Sequence, residues 1–259
     1  MTHQFVELAE ARDAEGIRIV TPLGVPSPWA LAAKGLFRLA SVPVRIVRAD
    51  RSRADVHEWT KCDNYPVVFH DKDLPRTSWS PIVALAARLA PQLLPTDLDA
   101  RAKVAGLIDL IAGEDGLGWN ARLIMVDAGF RTEGAKGFIP PVGKYLVQRY
   151  DSARIVKKGD ALELLRERCG AQIAVLDQHL AIADGDYFGG KAPNALDVYT
   201  AAFLIPLGAL DETTCPGISP MARQGFAGAA DALGALVPNS LIAHRTRMFE
   251  KHLGWPLEI

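Results

Sequence analysis

Ser27 is the residue of most chemical interest, in the run Ser27-Pro28-Trp29-Ala30. Proline suits the first turn of a helix, and serine before it suits the cap. A hydroxyl at that point sits beside the positive end of the helix dipole and can stabilise a bound anion such as a thiolate. The same hydroxyl can equally do no more than cap the helix, and the sequence leaves both roles open. Other constellations are weaker. Cys62 with His57 and His70 mixes metal-ligand types at a spacing that fits no zinc motif, so solvated side chains and no metal are expected. Gly189-Gly190-Lys191 lacks the upstream glycine and the hydroxyl residue of a phosphate loop, and there is no Gly-x-Ser-x-Gly elbow. Gly116-Leu117-Gly118 follows no strand and reads as a helix interruption. His244-Arg245-x-Arg247 reads as a solvated or interdomain face.

The elements that must position Ser27 follow from periodicity. Gly16 to Val20 alternates and is β-branched, so it predicts a first strand. A turn from Pro22 to Pro26 leads into a helix from Ser27 to about Ala40. Val42 to Val47 is a second strand, parallel to the first if that helix is the crossover. Arg48 to Lys61 is charged and predicts a short exposed helix. Tyr65 to His70 is a third strand, Asp71-Lys72-Asp73 a tight turn, and Leu74 to Thr77 a short return strand that Pro75 confines to the sheet edge. Ser80-Pro81 reads as a cap and first turn for a helix through Leu89, which Pro91 and Pro95 end. The order is β-α-β-α-β-β-α, preceded by a polar arm up to about Glu15.

After Pro95 only helical period remains. Val104, Leu107, Ile108 and Ile111 recur at three- and four-residue steps, as do Leu165, Cys169, Ile173, Leu176 and Leu180. Gly129 to Pro141 between them reads as a loop. Further helices are expected to begin near Asn194 and near Asn239. The expected division is an α/β domain over 1–92 and an all-helical domain over 100–259, joined by a linker rich in Pro and Asp.

Composition excludes several partners. The formal net charge is -1, so no global field recruits nucleic acid or an anionic membrane. No apolar run is long enough to span a bilayer, and the acidic N-terminus lacks the layout of a signal peptide. The three cysteines, Cys62, Cys169 and Cys215, have no paired spacing, which points to reduced thiols and a cytoplasmic chain.

Two motifs carry a family resemblance. Ser27-Pro28-Trp29-Ala30, followed by Tyr65-Pro66-Val67 at the third strand of a thioredoxin-like order, resembles the cytosolic glutathione S-transferase superfamily. Ser27 stands where the cysteine-type classes have Cys, and Pro66 where the family has a cis-proline. Asn194-Ala195-Leu196-Asp197, after Tyr187-Phe188-Gly189-Gly190, is similar to the capping box that starts the central helix of the family's second domain. The resemblance implies a thioredoxin-like α/β domain followed by an all-α domain. It also implies glutathione as cosubstrate, a small hydrophobic electrophile as substrate, and a homodimer. Ser27 would be catalytic, stabilising the glutathione thiolate. Tyr65, Pro66, Ser78, Trp79 and Ser80 would bind glutathione, with the Tyr65 backbone pairing to it as an extra strand. Family members carry an acidic residue and Ser before helix three, whereas this chain has Arg76-Thr77-Ser78-Trp79-Ser80. That departure keeps a second reading open: a protein of this fold without catalysis, binding another ligand or a protein.

Overall fold

A computed structural model describes residues 3–50, 52–149, 161–208 and 210–259. Its single sheet has the order β1-β3-β2-β4, with β1 at His3–Phe5, β2 at Ile17–Pro22, β3 at Val44–Ala49 and β4 at Val67–His70. Strands β2 and β3 are parallel, with Ile17 opposite Val44, because helix α2 (Pro28–Leu39) crosses over between them. Strand β4 lies antiparallel on the other side of β2, with Ile17 opposite His70. Side chains alternate between the faces. Ile17, Ile19, Val44, Ile46 and Val68 enter the main core with α2 and with α4 (Trp79–Leu89). Val20, Val47, Val67 and Phe69 form a second core with Leu8, Ala11 and Val56. Those three residues come from α1 (Leu8–Asp13) and α3 (Ala54–Thr60).

Two expectations are corrected in this part. The N-terminal segment is no loose arm: β1 pairs parallel with β3, His3 opposite Val44, and α1 buries Leu8 and Ala11. Only a few apolar residues anchor it, so the polar composition concealed it. The stretch Leu74 to Thr77 forms no strand. It makes one bridge, in which Val68 and Arg76 exchange two backbone hydrogen bonds of 2.8 and 2.9 Å. Pro75 beside it has no N–H to extend the ladder.

The other described residues form helices and the turns between them. Helices α5 (Leu98–Ala112) and α8 (Leu162–Ala181) fall where the period placed them. Between them stand α6 (Leu117–Arg131) and α7 (Pro140–Arg149), and α9 (Ala195–Phe203), α10 (Pro220–Leu233) and α11 (Asn239–Met248) follow. The expected loop from Gly129 to Pro141 is therefore too long at both ends, since α6 runs through to Arg131 and α7 starts at Pro140. Gly129 is there for close approach: a Cβ would lie 1.8 Å from the Phe138 carbonyl oxygen. No helix among the described residues is long and apolar enough to cross a membrane.

Helix α9 is buried along its whole length and packs against α2, so it joins the helical part to the sheet. Its start is the reciprocal capping box. Asn194 Oδ1 accepts from the Leu196 N–H and Asp197 Oδ2 accepts from the Asn194 N–H, each at 2.8 Å. The fully buried Asp197 carboxylate also accepts from the N–H groups of Phe188 (2.8 Å) and Gly189 (3.3 Å). A further donor is His244 Nε2, at 2.8 Å. His244 is thus no solvated face; it is completely buried and ties α11 to α9.

A C-terminal segment also clasps α2. Glu258 pairs with Arg38 at 2.9 Å and lies 3.0 Å from His3 Nδ1, while Lys34 donates to the Glu258 carbonyl. The hydrogen bond from His3, and Arg38 beside it, hold the Glu258 carboxyl at about 2, below its ordinary 4.5. A carboxyl lowered on folding stabilises the fold above its unfolded pKa, and that contribution is lost as pH falls through the folded one. The Glu258 contribution is therefore complete above about pH 4.5 and disappears towards about pH 2. Replacing Glu258 by Gln is expected to flatten the melting temperature against pH in that window, and an unchanged slope would remove Glu258 from the account of acid stability.

Candidate active site

A cavity of about 400 Å³ opens between the sheet and the helices. On the sheet side it is lined by the first turn of α2, the end of β3 and the Tyr65 segment. Ser27, at the N-cap position of α2, is only 8% exposed, and its remaining surface faces this space. Its N–H donates to the Val25 carbonyl and its carbonyl accepts from the Leu31 N–H, both at 2.8 Å. The hydroxyl makes no capping hydrogen bond, so the plain capping role is not the one observed. Tyr65 lines the same wall, and the Tyr65–Pro66 peptide is cis.

The opposite wall includes one face of α6, Gly118, Ala121, Arg122 and Met125 at helical spacing, continued by residues of α7 and α10. Trp29 joins the two walls. Its Nε1 donates to the Ala112 carbonyl at 3.0 Å and its ring stands edge-on to Phe203 at 4.8 Å between centroids. The Arg122 guanidinium lies 4.4 Å from its ring centre. A Cβ at Gly118 would lie 2.3 Å from Phe203 and 3.0 Å from Trp29. Overpacking of this kind costs about 1–3 kcal/mol, so Gly118→Ala is expected to lower the melting temperature by about 2–12 °C for a chain of this size. A melt indistinguishable from wild type would contradict the tight seam.

None of the three cysteines lines the cavity. Burial pushes the Cys169 thiol up to about 12 and the Cys215 thiol up to about 11, and raises Cys62 as well. A thiolate in this space must therefore come from a bound molecule. His57 pairs with Asp63 at 3.1 Å, and His70 lies 3.3 Å from Asp71. Among the described residues no three His, Cys, Asp or Glu side chains gather as a metal site would need.

Three solved structures superimpose over nearly the whole chain. A glutathione transferase family member from Pseudomonas fluorescens, with two glutathione bound, is 14% identical. It aligns at a TM-score of 0.52 over 89% of this chain and 92% of its own. The β-etherase LigF from Sphingobium is 13% identical, with a TM-score of 0.56 over 89% of this chain and 99% of its own. A glutathione S-transferase from Xanthobacter autotrophicus is 17% identical, with a TM-score of 0.52 over 94% and 96%. The chain has the glutathione-transferase fold. No protein-family model matches the sequence, and no curated protein matches it.

On the glutathione-transferase fold, the residues singled out by sequence divide into two groups. Ser27 and Tyr65 both line the cavity, whereas Pro66 is buried and does not line it. Ser78, Trp79 and Ser80 do not line it. Helix α4 begins at Trp79, two residues earlier than Ser80-Pro81 suggested, with an exposed Ser78 at its cap position making no side-chain cap bond. Trp79 is half-buried against the main core, Ser80 is exposed, and Arg76 pairs with Asp73 at 2.9 Å. Sequence reading missed the α6 wall, including Arg122. Its signal was there, a four-residue face at helical spacing carrying one cation, but the glycines at 116 and 118 masked the helix.

Proposed function

We propose that the cavity holds glutathione with its sulfur at Ser27 and brings a small hydrophobic electrophile against the helical wall, for conjugation or thiolysis. The observation that carries this reading is that Ser27 and Tyr65 line one wall of a cavity whose other wall is mostly apolar helix. The Ser27 hydroxyl donates a hydrogen bond to the thiolate, and the N-terminus of α2 adds its dipole. Sulfur then forms a bond to the electrophilic carbon, the leaving group departs with its electron pair, and the thiol proton has already passed to water. The Tyr65 backbone pairs with the peptide-like cosubstrate as an added strand. Pro66 supports that segment. Ser78 and Ser80, at the start of α4, take the γ-glutamyl end with hydroxyls and helix N–H groups. Trp79 covers the sheet edge between them, and no metal is needed. The test is an absorbance assay with chlorodinitrobenzene: turnover is expected only when glutathione is present, and its absence at saturating glutathione would contradict the reading.

One observation favours the non-catalytic alternative. The run from Arg76 to Ser80 offers no carboxylate to glutathione and stands outside the cavity lining. Under that alternative another ligand or a protein partner occupies the fold, and no thiol is consumed.

The same reading carries a cytoplasmic homodimer. Phe69 is buried and stacked on Trp59 with ring centroids 4.6 Å apart, so it offers no surface to such an interface. Trp79 and the exposed Leu98 on α5 remain as apolar material. Sedimentation is expected to give twice the chain mass of 28.0 kDa, and a clean monomer at micromolar concentration would rule the dimer out.

A further inference from the structure

Of the described residues lining the cavity, two carry charge, and they stand on opposite walls. Asp50 is exposed at the sheet side, and its carboxyl is held below the usual range by the Ser52 backbone N–H at 2.8 Å. Arg122 is half-buried on α6, among Ala121, Met125 and Phe203. A long cationic side chain on a helix ordinarily carries its head out to water. Here the head lies over the Trp29 ring, and Trp29 is itself held by its hydrogen bond to Ala112 and its edge-on contact with Phe203. Five donors can serve a carboxylate alongside the other contacts that Arg122 makes.

We infer that the electrophile is an aromatic acid, whose ring packs against Phe138, Phe226 and Met125 and whose carboxylate pairs with Arg122. The inference rests on the glutathione reading above and deepens it. Aromatic walls favour a planar ring through edge and offset stacking. A charge-assisted pair gains strength in apolar surroundings. A space of about 400 Å³ matches one small ligand of this kind beside a thiol. Asp50 does not oppose this, because it lies on the other wall in contact with water, where its charge is screened.

The test uses two pairs of probes. Calorimetry compares dinitrobenzoate with dinitrobenzene in the absence of glutathione, so binding is read without any chemistry. Wild type is expected to bind the acid about 10–100-fold more tightly. That ratio should fall to about one in Arg122→Gln and be partly kept in Arg122→Lys. A wild-type ratio of one, or an unchanged ratio in Arg122→Gln, overturns the inference. Should Arg122→Gln fail to fold, the wild-type ratio and the lysine variant decide. Turnover separates this inference from the glutathione reading. With chlorodinitrobenzoate and chlorodinitrobenzene, sulfur displaces chloride from the ring carbon, and the acid is expected to show the higher kcat/KM. If neither is turned over, the glutathione reading fails while the calorimetric ratio still decides the role of Arg122.

Discussion

Ser27→Ala is expected to lower glutathione-dependent turnover by about 10–1000-fold, the scale for one preorganised donor to a bound anion. The hydroxyl makes no capping bond, so its removal should leave α2 and the melting temperature nearly unchanged. Glutathione affinity should change little, because the Tyr65 backbone and the start of α4 make most of the proposed contacts. The apparent pKa of the reacting thiol, read from the pH dependence of the rate, should rise, since the anion loses a donor. Ser27→Cys should instead gain thiol-transfer activity, because a cysteine at a helix N-terminus is a reactive thiolate. Alanine-variant rates equal to wild type would leave Ser27 without a chemical role and favour the non-catalytic alternative.

Asp197→Ala is expected to produce the largest loss of stability. The carboxylate is fully buried, accepts from three backbone N–H groups, and holds His244. Removing one partner of a buried, hydrogen-bonded pair costs about 3–5 kcal/mol, more than the loss of a cap alone. For a chain of this length that corresponds to about 6–20 °C of melting temperature. A double-mutant cycle with His244→Ala should show strong coupling, because each side chain is the other's buried partner. Ligand affinity should be retained in the folded fraction, since neither residue lines the cavity. An unchanged melt would mean that the box at the start of α9 does not hold the helical part together.

The parts legible in sequence are those encoded locally. Ser27-Pro28 marks the start of α2, and the alternation of Ile17, Ile19 and Val44, Ile46 sets the central strands, because cap chemistry and two-residue period act over a few positions. The box at Asn194 and Asp197 was readable for the same reason. What escaped depends on distant partners. His244 looks solvated among arginines, yet its carboxylate lies 47 residues away in the chain. Helix α6 was hidden because its glycines imitate breakers, when Gly118 and Gly129 are small to admit Phe203 and the Phe138 carbonyl. Leu74 to Thr77 has strand-like spacing but only one bridge to β4. Half of the candidate site was visible, Ser27 and Tyr65, while the helical face opposite them was masked by the glycines at its start.

The central claim is that this cavity binds glutathione and holds its sulfur as an anion at Ser27. Calorimetric titration of the wild-type protein with glutathione, repeated in buffers of different ionisation heat, tests it most directly. The expected result is saturable binding of one glutathione per chain with release of a proton near neutral pH, a release that Ser27→Ala reduces. Absence of saturable heat, or binding with no proton released, would contradict it.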